Sequence, residues 1–168
     1  YMVENTVGKL WLDLNPNSQV KANMKYLVES NSSTSEEVVE DRRGDPIINE
    51  VSELKLLDPA CGSGHILVEG FDLLFQMYME EFYSKEEAVI SILQKNLFGL
   101  DIDKRAVQLS NFAILLKAAV YFPDVLNKSI LPNVYAMPEP IEFSPEDINL
   151  FLGEEGIDYR DSLTDALV

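Results

Sequence analysis

The sequence has little of several residue types on which protein function often depends. It contains one cysteine, Cys61, and one histidine, His65. A single cysteine excludes a disulfide within the chain, and these two residues cannot complete a zinc site, so we expect no bound metal. Basic side chains are also scarce, with 13 lysines and arginines against 29 acids and a net charge of −16. This charge repels the phosphates of nucleic acids and lipids, so we expect any nucleic-acid contact to involve residues outside this sequence.

Long apolar runs are missing as well. No run in the sequence reaches the roughly 18 to 20 residues that cross a bilayer, which predicts no membrane partner. The sequence also lacks an N-terminal signal pattern, and together with the unpaired cysteine this predicts a cytoplasmic location. The 168 residues are 46% hydrophobic, enough for about one compact domain. Because the sequence opens at Tyr1 with helix-like apolar spacing, we expect it to be part of a longer chain.

The first fifty residues divide into a helical part and a polar part. Apolar residues recur every three or four positions over residues 1–14, which predicts a helix, and a second short helix is expected over about 20–28. Serine and charged residues then dominate 29–46, a composition typical of a mobile surface connection. We therefore predict an N-terminal helical segment (1–30), a mobile acidic and serine-rich connection (31–50) and a core domain (51–168).

From residue 53 onward, short apolar strands alternate with amphipathic helices. The predicted strands are 53–58, 96–101 and 133–139, and the predicted helices are 65–83, 85–95, 104–122 and 144–152, the last beginning at Ser144 and Pro145. This alternation predicts an α/β fold in which about three parallel strands, joined by right-handed crossovers, are flanked by helices.

A glycine-rich turn follows the first predicted strand in the segment LLDPACGSGHIL, residues 56–67. Glycines at such a turn let a ligand lie directly on the main chain. A P-loop is excluded because His65 stands where that motif needs lysine, and a dinucleotide site is disfavoured because Leu67 replaces its third glycine. Asp58, just before the turn, favours a cationic or zwitterionic ligand over a pyrophosphate.

The second predicted strand adds another acid at its end. Asp101 closes the segment NLFGLD, and a carboxylate there can accept hydrogen bonds from both hydroxyls of a ribose. Ile102 behind it can cover one face of a purine. A ligand with an amino acid end, a ribose and an adenine, but no phosphate, satisfies these residues together. S-adenosylmethionine is such a ligand.

These two segments, LLDPACGSGHIL and NLFGLDIDKRAVQLSNFAILLKA, resemble the cofactor-binding core of adenine-specific N6 DNA methyltransferases. The resemblance covers most of residues 1–140 and is strongest to the large enzymes of bacteriophage-exclusion systems and to single-chain restriction-modification enzymes. It implies a Rossmann-like class I methyltransferase fold, S-adenosylmethionine as cofactor, double-stranded DNA as substrate and defence-system proteins as partners. The cofactor-binding residues that it implies are Asp58, Pro59, Ala60, Cys61, Gly62, Ser63, Gly64, Asp101, Ile102 and Glu139.

Within the resemblance, Asp58 would lie near the methionine amino group, and the residues from Pro59 to Gly64 would form the loop under the cofactor. Asp101 would bind the ribose and Ile102 would pack on the adenine. The family usually has an Asp or Asn at the end of the third strand to contact the adenine amino group. This sequence has Met137, Pro138 and Glu139 there, which makes Glu139 the candidate for that contact.

The sequence departs from the family in two places. The family's catalytic motif, Asn or Asp followed by Pro-Pro and an aromatic residue, should follow the third strand, but the sequence has no Pro-Pro pair. A Phe-Thr-Pro segment that contacts the cofactor carboxylate would lie upstream of Tyr1. We therefore expect cofactor binding but no methyl transfer from these residues alone. A methyltransferase acting on RNA or protein amides, and a non-catalytic interaction module with this fold, remain alternatives.

Several other residues have structural interpretations. Cys61 is expected to pack in the loop, since no second histidine exists to pair with His65 in a nucleophilic site, and His65 is expected to cap or pack. Asp103 is expected to be the N-cap of the helix that follows it. A set of aromatic residues at helical spacing is expected to be buried in a core or interface: Phe71, Phe75, Tyr78, Phe82 and Tyr83.

Overall fold

A computed structural model describes residues 1–28, 48 and 50–138. Most of the predicted mobile connection, the predicted helix 144–152 and Glu139 lie outside these residues. The N-terminal helix starts as a π-helical segment, Glu4–Gly8, and continues as α1, Lys9–Leu14, which confirms the prediction for residues 1–14. No helix among the described residues is long and apolar enough to cross a membrane.

The predicted helix over 20–28 is wrong in type and length. A short 3-10 helix, Gln19–Asn23, begins there with Ser18 as its N-cap, and it is followed by Met24 in an extended conformation and a turn at residues 25–26. The carboxylate of Glu4 accepts the backbone N–H groups of Lys25 and Tyr26 at 3.2 and 2.6 Å. Because these two N–H groups donate to the first helix, they do not make the hydrogen bonds that would extend the 3-10 helix.

The core contains the predicted alternation of strands and helices. Its elements are β1 (Leu56–Asp58), α2 (His65–Glu80), α3 (Lys85–Ser91), β2 (Leu97–Asp101), α4 (Lys104–Tyr121) and β3 (Asn133–Ala136). Helix α3 extends as a π-helical segment, Ile92–Asn96, and short 3-10 helices, Val51–Glu53 and Pro123–Asn127, precede β1 and follow α4. The strands form a parallel sheet in the order β1-β2-β3. The predicted α/β, Rossmann-like fold is confirmed.

Helix α2 lies directly on the sheet because Gly70 has no side chain to hold it away. A Cβ atom on Gly70 would overlap the side chain of Leu56 on β1 and lie 3.5 Å from that of Leu97 on β2. From the sheet side, a Cβ on Gly99 would lie 2.8 Å from Leu67. These close approaches fix the depth at which α2 sits, and α2 begins directly after the glycine-rich turn.

A buried polar network joins the segment before β1 to the helices. Asn96 is fully buried, and its amide group donates to the carbonyls of Val51 and Leu54, both at 2.8 Å. Its carbonyl accepts the hydroxyl of Tyr78 at 2.9 Å. Each of these polar groups has a partner, so the network holds the segment before β1 in place and leaves no buried group unpaired.

Most of the predicted aromatic core is confirmed. Phe71, Phe75 and Tyr78 are buried, and Tyr83 packs edge-on against Tyr78 with ring centroids 5.0 Å apart. Phe82, however, is 96% exposed, so it does not belong to the predicted core. Helix α2 ends at Glu80, earlier than predicted, and Phe82 takes a left-handed φ of 63° in the turn that leads into α3. This turn directs its ring away from the core.

Candidate cofactor-binding site

The two predicted acids end neighbouring parallel strands. Asp58 is the last residue of β1 and pairs in register with Gly99, and Asp101 is the last residue of β2. Asp101 therefore lies two residues beyond Asp58 along the strand direction, about 7 Å further on. Asp58 is only 8% exposed, whereas the side chain of Asp101 faces the glycine-rich turn, which we call the glycine loop (Pro59–Gly64). The structure brings both acids to the carboxyl edge of the sheet.

Four of the five backbone N–H groups of the glycine loop donate hydrogen bonds within the protein. Ala60 donates to Asp58 Oδ1 at 3.2 Å, Cys61 to the carbonyl of Leu100 at 2.9 Å, Gly62 to Asp101 Oδ2 at 2.8 Å and Gly64 to the carbonyl of Cys61 at 2.8 Å. A phosphate-binding loop needs such N–H groups free to point at its anion. These four N–H groups are already bonded and cannot bind an anion. The two carboxylates beside the loop therefore favour a cationic ligand.

The two glycines of the loop have different surroundings. Gly62 has a φ of +53°, and a Cβ atom added there would meet nothing within 4 Å. Gly64 has a φ of +84°, and a Cβ atom there would overlap the hydroxyl of Ser110 on α4 and lie 3.1 Å from its Cα. Gly62 thus presents open main chain on which a ligand can lie, and Gly64 provides the contact between the loop and α4.

Asp101 is held as an acceptor for hydrogen bonds. Its Oδ1 accepts the N–H of Asp103 at 2.8 Å while its Oδ2 accepts that of Gly62. These backbone donors lower the pKa of Asp101 from its ordinary value, so the carboxylate is ionised at neutral pH. Each oxygen keeps a second lone pair, and these are the acceptors that ribose hydroxyls require.

Of the residues that follow Asp101, Asp103 has a structural role and Ile102 is exposed to solvent. Asp103 accepts the N–H of Arg105 at 2.8 Å and is the N-cap of α4, as predicted. Ile102 is 86% exposed, an apolar side chain available at the rim of the loop. Glu139 lies outside the described residues, so its predicted contact stays a prediction.

Cys61 and His65 show no arrangement for nucleophilic or metal chemistry. Burial raises the pKa of the Cys61 thiol, and the nearby Asp101 and Asp58 charges raise it further, so the thiol stays protonated as in a packed cysteine. His65 is exposed and pairs with the hydroxyl of Ser63 at 2.8 Å, so it neither packs in the core nor makes a side-chain cap for α2. Within the described residues, no three metal-binding side chains cluster.

A cavity of about 450 Å³ adjoins Asp58 and was not predicted from the sequence. Its walls are the strand segment from Leu54 to Pro59, Ile66 of α2 and the first helix. Met2, Val3 and Ile66 also line a neighbouring groove of about 630 Å³. Asp101 does not line the cavity and stands at the more exposed rim of the loop. The N-terminal helix thus forms a wall beside the site, a role that its apolar spacing alone did not indicate.

Comparison with known proteins decides the family. Residues 35–130 match the family model described as MmeI, DNA-methyltransferase domain. The chain belongs to this DNA-methyltransferase family. The glycine loop, β2 and all of α4 fall inside the matched range, and a methyltransferase of this family requires a methyl-donor cofactor.

Curated relatives extend the match over most of the chain. The adenine-specific methyltransferase BrxX of Escherichia coli O9:H4 (strain HS) is 40% identical over 139 residues, which is 83% of this chain and 12% of that protein. The adenine-specific methyltransferase PglX of Lacticaseibacillus casei (strain Zhang) is 36% identical over 145 residues, which is 82% of this chain and 12% of that protein. The chain therefore spans about an eighth of the length of these two relatives.

Proposed function

We propose that this chain is the cofactor-binding part of a DNA methyltransferase that transfers a methyl group from S-adenosylmethionine to the N6 amino group of adenine. The family assignment and the names of the two adenine-specific relatives support the reaction. The observation that carries the choice of cofactor is the glycine loop, whose amides at residues 60, 61, 62 and 64 are bound internally while two carboxylates lie beside it.

The proposed cofactor matches this loop in charge and shape. S-adenosylmethionine carries an ammonium group, a positive sulfur, a ribose and an adenine, and it has no phosphate. In our proposal Asp58 lies near the ammonium group, Asp101 accepts the ribose hydroxyls and Ile102 packs on the adenine. Pro59, Ala60, Cys61, Gly62, Ser63 and Gly64 form the surface beneath the cofactor. The cofactor supplies the methyl group, and these residues hold and orient it.

We further propose that residues outside this chain position the target base and contact the DNA. An adenine must leave the duplex before its amino group can reach a methyl donor, and the enzyme then acts mainly by aligning the two. The sequence has no Pro-Pro pair to hold an extruded base, and its net charge of −16 opposes duplex binding. The same proposal places the protein in the cytoplasm, with partner proteins of a phage-defence system. The names of the relatives do not favour an RNA or protein substrate.

Calorimetric titration of the full-length protein that contains this chain with S-adenosylhomocysteine tests the cofactor proposal. We expect saturable binding that is lost in Asp101→Ala and retained in Asp103→Asn. The latter is a matched control, because asparagine replaces aspartate well as an N-cap. If the wild-type protein does not bind S-adenosylhomocysteine, or prefers ATP or NAD, the proposal is wrong.

A methylation assay tests the reaction. The full-length protein should incorporate labelled methyl groups into duplex DNA, and nuclease digestion should release the label as N6-methyladenine. Label in RNA or protein, with none in DNA, would support the alternative substrates instead.

A further inference from the structure

Ser110 of α4 lies directly behind the glycine loop and is fully buried. Ser110 packs against Gly64 of the loop. A Cβ atom on Gly64 would overlap the Ser110 hydroxyl and would lie 3.1 Å from both the Cα and the Cβ of Ser110. Helix α4 and the loop are thus as close as their backbones allow. A larger residue at either position would separate them.

The hydroxyl of Ser110 has no hydrogen-bond partner among the described residues. The Cys61 thiol of the loop is close enough for Ser110 to lower its pKa against the larger effect of burial, but no hydrogen bond of acceptable geometry joins the two groups. A buried hydroxyl without a partner destabilises a protein, and alanine would fill nearly the same space without that cost. The hydroxyl therefore calls for a role beyond packing.

Five other polar groups of the loop have partners. The amides of Ala60, Cys61, Gly62 and Gly64 have partners, and the hydroxyl of Ser63 is paired with His65. Two buried side-chain atoms of the described residues have no partner, the Ser110 hydroxyl and Asn111 Oδ1, and of these two Ser110 is the one that contacts the loop at Gly64. A small shift of the loop at Cys61 would bring the thiol or a loop carbonyl within reach of this hydroxyl.

We propose that Ser110 is a positioning residue for the cofactor: its hydroxyl hydrogen-bonds the glycine loop at Cys61 when the cofactor is bound and has no partner when it is absent. This inference rests on the proposed function, because it requires the loop to hold the cofactor. Ser110 itself does not touch the cofactor. It stabilises the bound form of the loop from the side of α4.

Ser110→Ala separates this role from simple packing. In the full-length protein we expect the affinity for S-adenosylhomocysteine, measured by calorimetry, to fall about fivefold, the effect of losing one ordinary hydrogen bond. Hydrogen exchange of the loop and of α4 without the ligand should stay unchanged or become slower, because the variant loses an unpaired buried group. If Ser110 only packed, Ser110→Ala would either weaken binding and speed hydrogen exchange together or leave both unchanged.

Two further variants complete the experiment. Ser129→Ala makes the same chemical change at an exposed serine outside the site and should alter neither measurement. Ser110→Val should weaken binding and speed exchange in the loop, because its extra methyl groups push against Gly64. Wild-type affinity in Ser110→Ala, with the wild-type protein binding normally, would overturn the role of Ser110 alone. No binding by the wild-type protein would overturn both this inference and the proposed function.

Discussion

The backbone N–H of Gly62 donates to Asp101 Oδ2 at 2.8 Å and so ties the glycine loop to the end of the neighbouring strand. The other oxygen of the same carboxylate holds the N–H of Asp103 at the start of α4. One side chain therefore fixes the loop, the strand end and the helix start together. In our proposal the same carboxylate also accepts the ribose hydroxyls, so Asp101 holds both the loop and the cofactor.

Asp101→Asn tests whether these two hydrogen bonds hold the loop. The asparagine amide has one oxygen and one NH2 group, so in either orientation one of the two backbone N–H groups faces a donor instead of an acceptor. We expect roughly tenfold weaker binding of S-adenosylhomocysteine, since hydrogen bonds to charged groups are the stronger ones. Hydrogen exchange at Gly62 should also become faster. Asp103→Asn is the control, and equal exchange in the two variants would show that Asp101 does not hold the loop.

The two loop glycines should respond differently to alanine. Both have a positive φ, so either substitution costs about 1–2 kcal/mol of unfolding free energy in backbone strain. Gly64→Ala adds an overlap with Ser110, which raises its cost by about 1–3 kcal/mol, whereas a Cβ at Gly62 meets open space. Urea unfolding of the 168-residue chain should therefore rank the wild type as most stable, then Gly62→Ala, then Gly64→Ala. Equal losses in the two variants would contradict the close contact between the loop and α4.

The positions of the two acids at the edge of the sheet could be predicted from the sequence, but the hydrogen bonds around them could not. Asp58 and Asp101 each follow a recognisable strand, and parallel strands bring their carboxyl ends to one edge, so topology alone placed them together. Ser110 lies far from the loop in sequence and has no motif of its own. Only the packing of α4 against Gly64 reveals it. Spacing also failed at Phe82, because helical periodicity does not indicate where the chain leaves the helix.

Tyr78 should make stability depend on pH in the alkaline range. Burial raises its pKa from 10.0 to about 12, while its hydroxyl donates to Asn96. Because the pKa is higher in the folded state, the stabilisation is fully present below pH 10 and is lost as the pH rises through 12. At neutral pH, Tyr78→Phe should lower the unfolding free energy by about 1–2 kcal/mol, since it leaves the Asn96 carbonyl unpaired.

Urea unfolding of the wild-type chain and Tyr78→Phe at several pH values checks this. The difference in unfolding free energy between the two should narrow between pH 10 and 12, because only the wild type must then keep a phenol protonated. A difference that stays constant over this range would mean that Tyr78 does not titrate differently in the folded and unfolded chains.

Phe82 is a position where a substitution should increase stability. Its φ of 63° is left-handed, and the following N–H of Tyr83 closes the turn by donating to the carbonyl of Tyr78 at 3.1 Å. Glycine adopts this conformation without the steric penalty of a side chain and is the usual residue after a helix end. We expect Phe82→Gly to raise the unfolding free energy of the chain by about 1 kcal/mol. The 96% exposed ring contributes little packing that could be lost.

Phe82→Ala is the matched control, because it removes the ring and keeps the Cβ atom that causes the strain. Its unfolding free energy should stay within about 0.5 kcal/mol of the wild type, as is usual for exposed positions. If alanine and glycine stabilised the chain equally, the gain would come from removing the exposed ring and not from relieving backbone strain. A loss of stability in both would mean that the ring contacts the protein in solution and that the turn differs from the one described here.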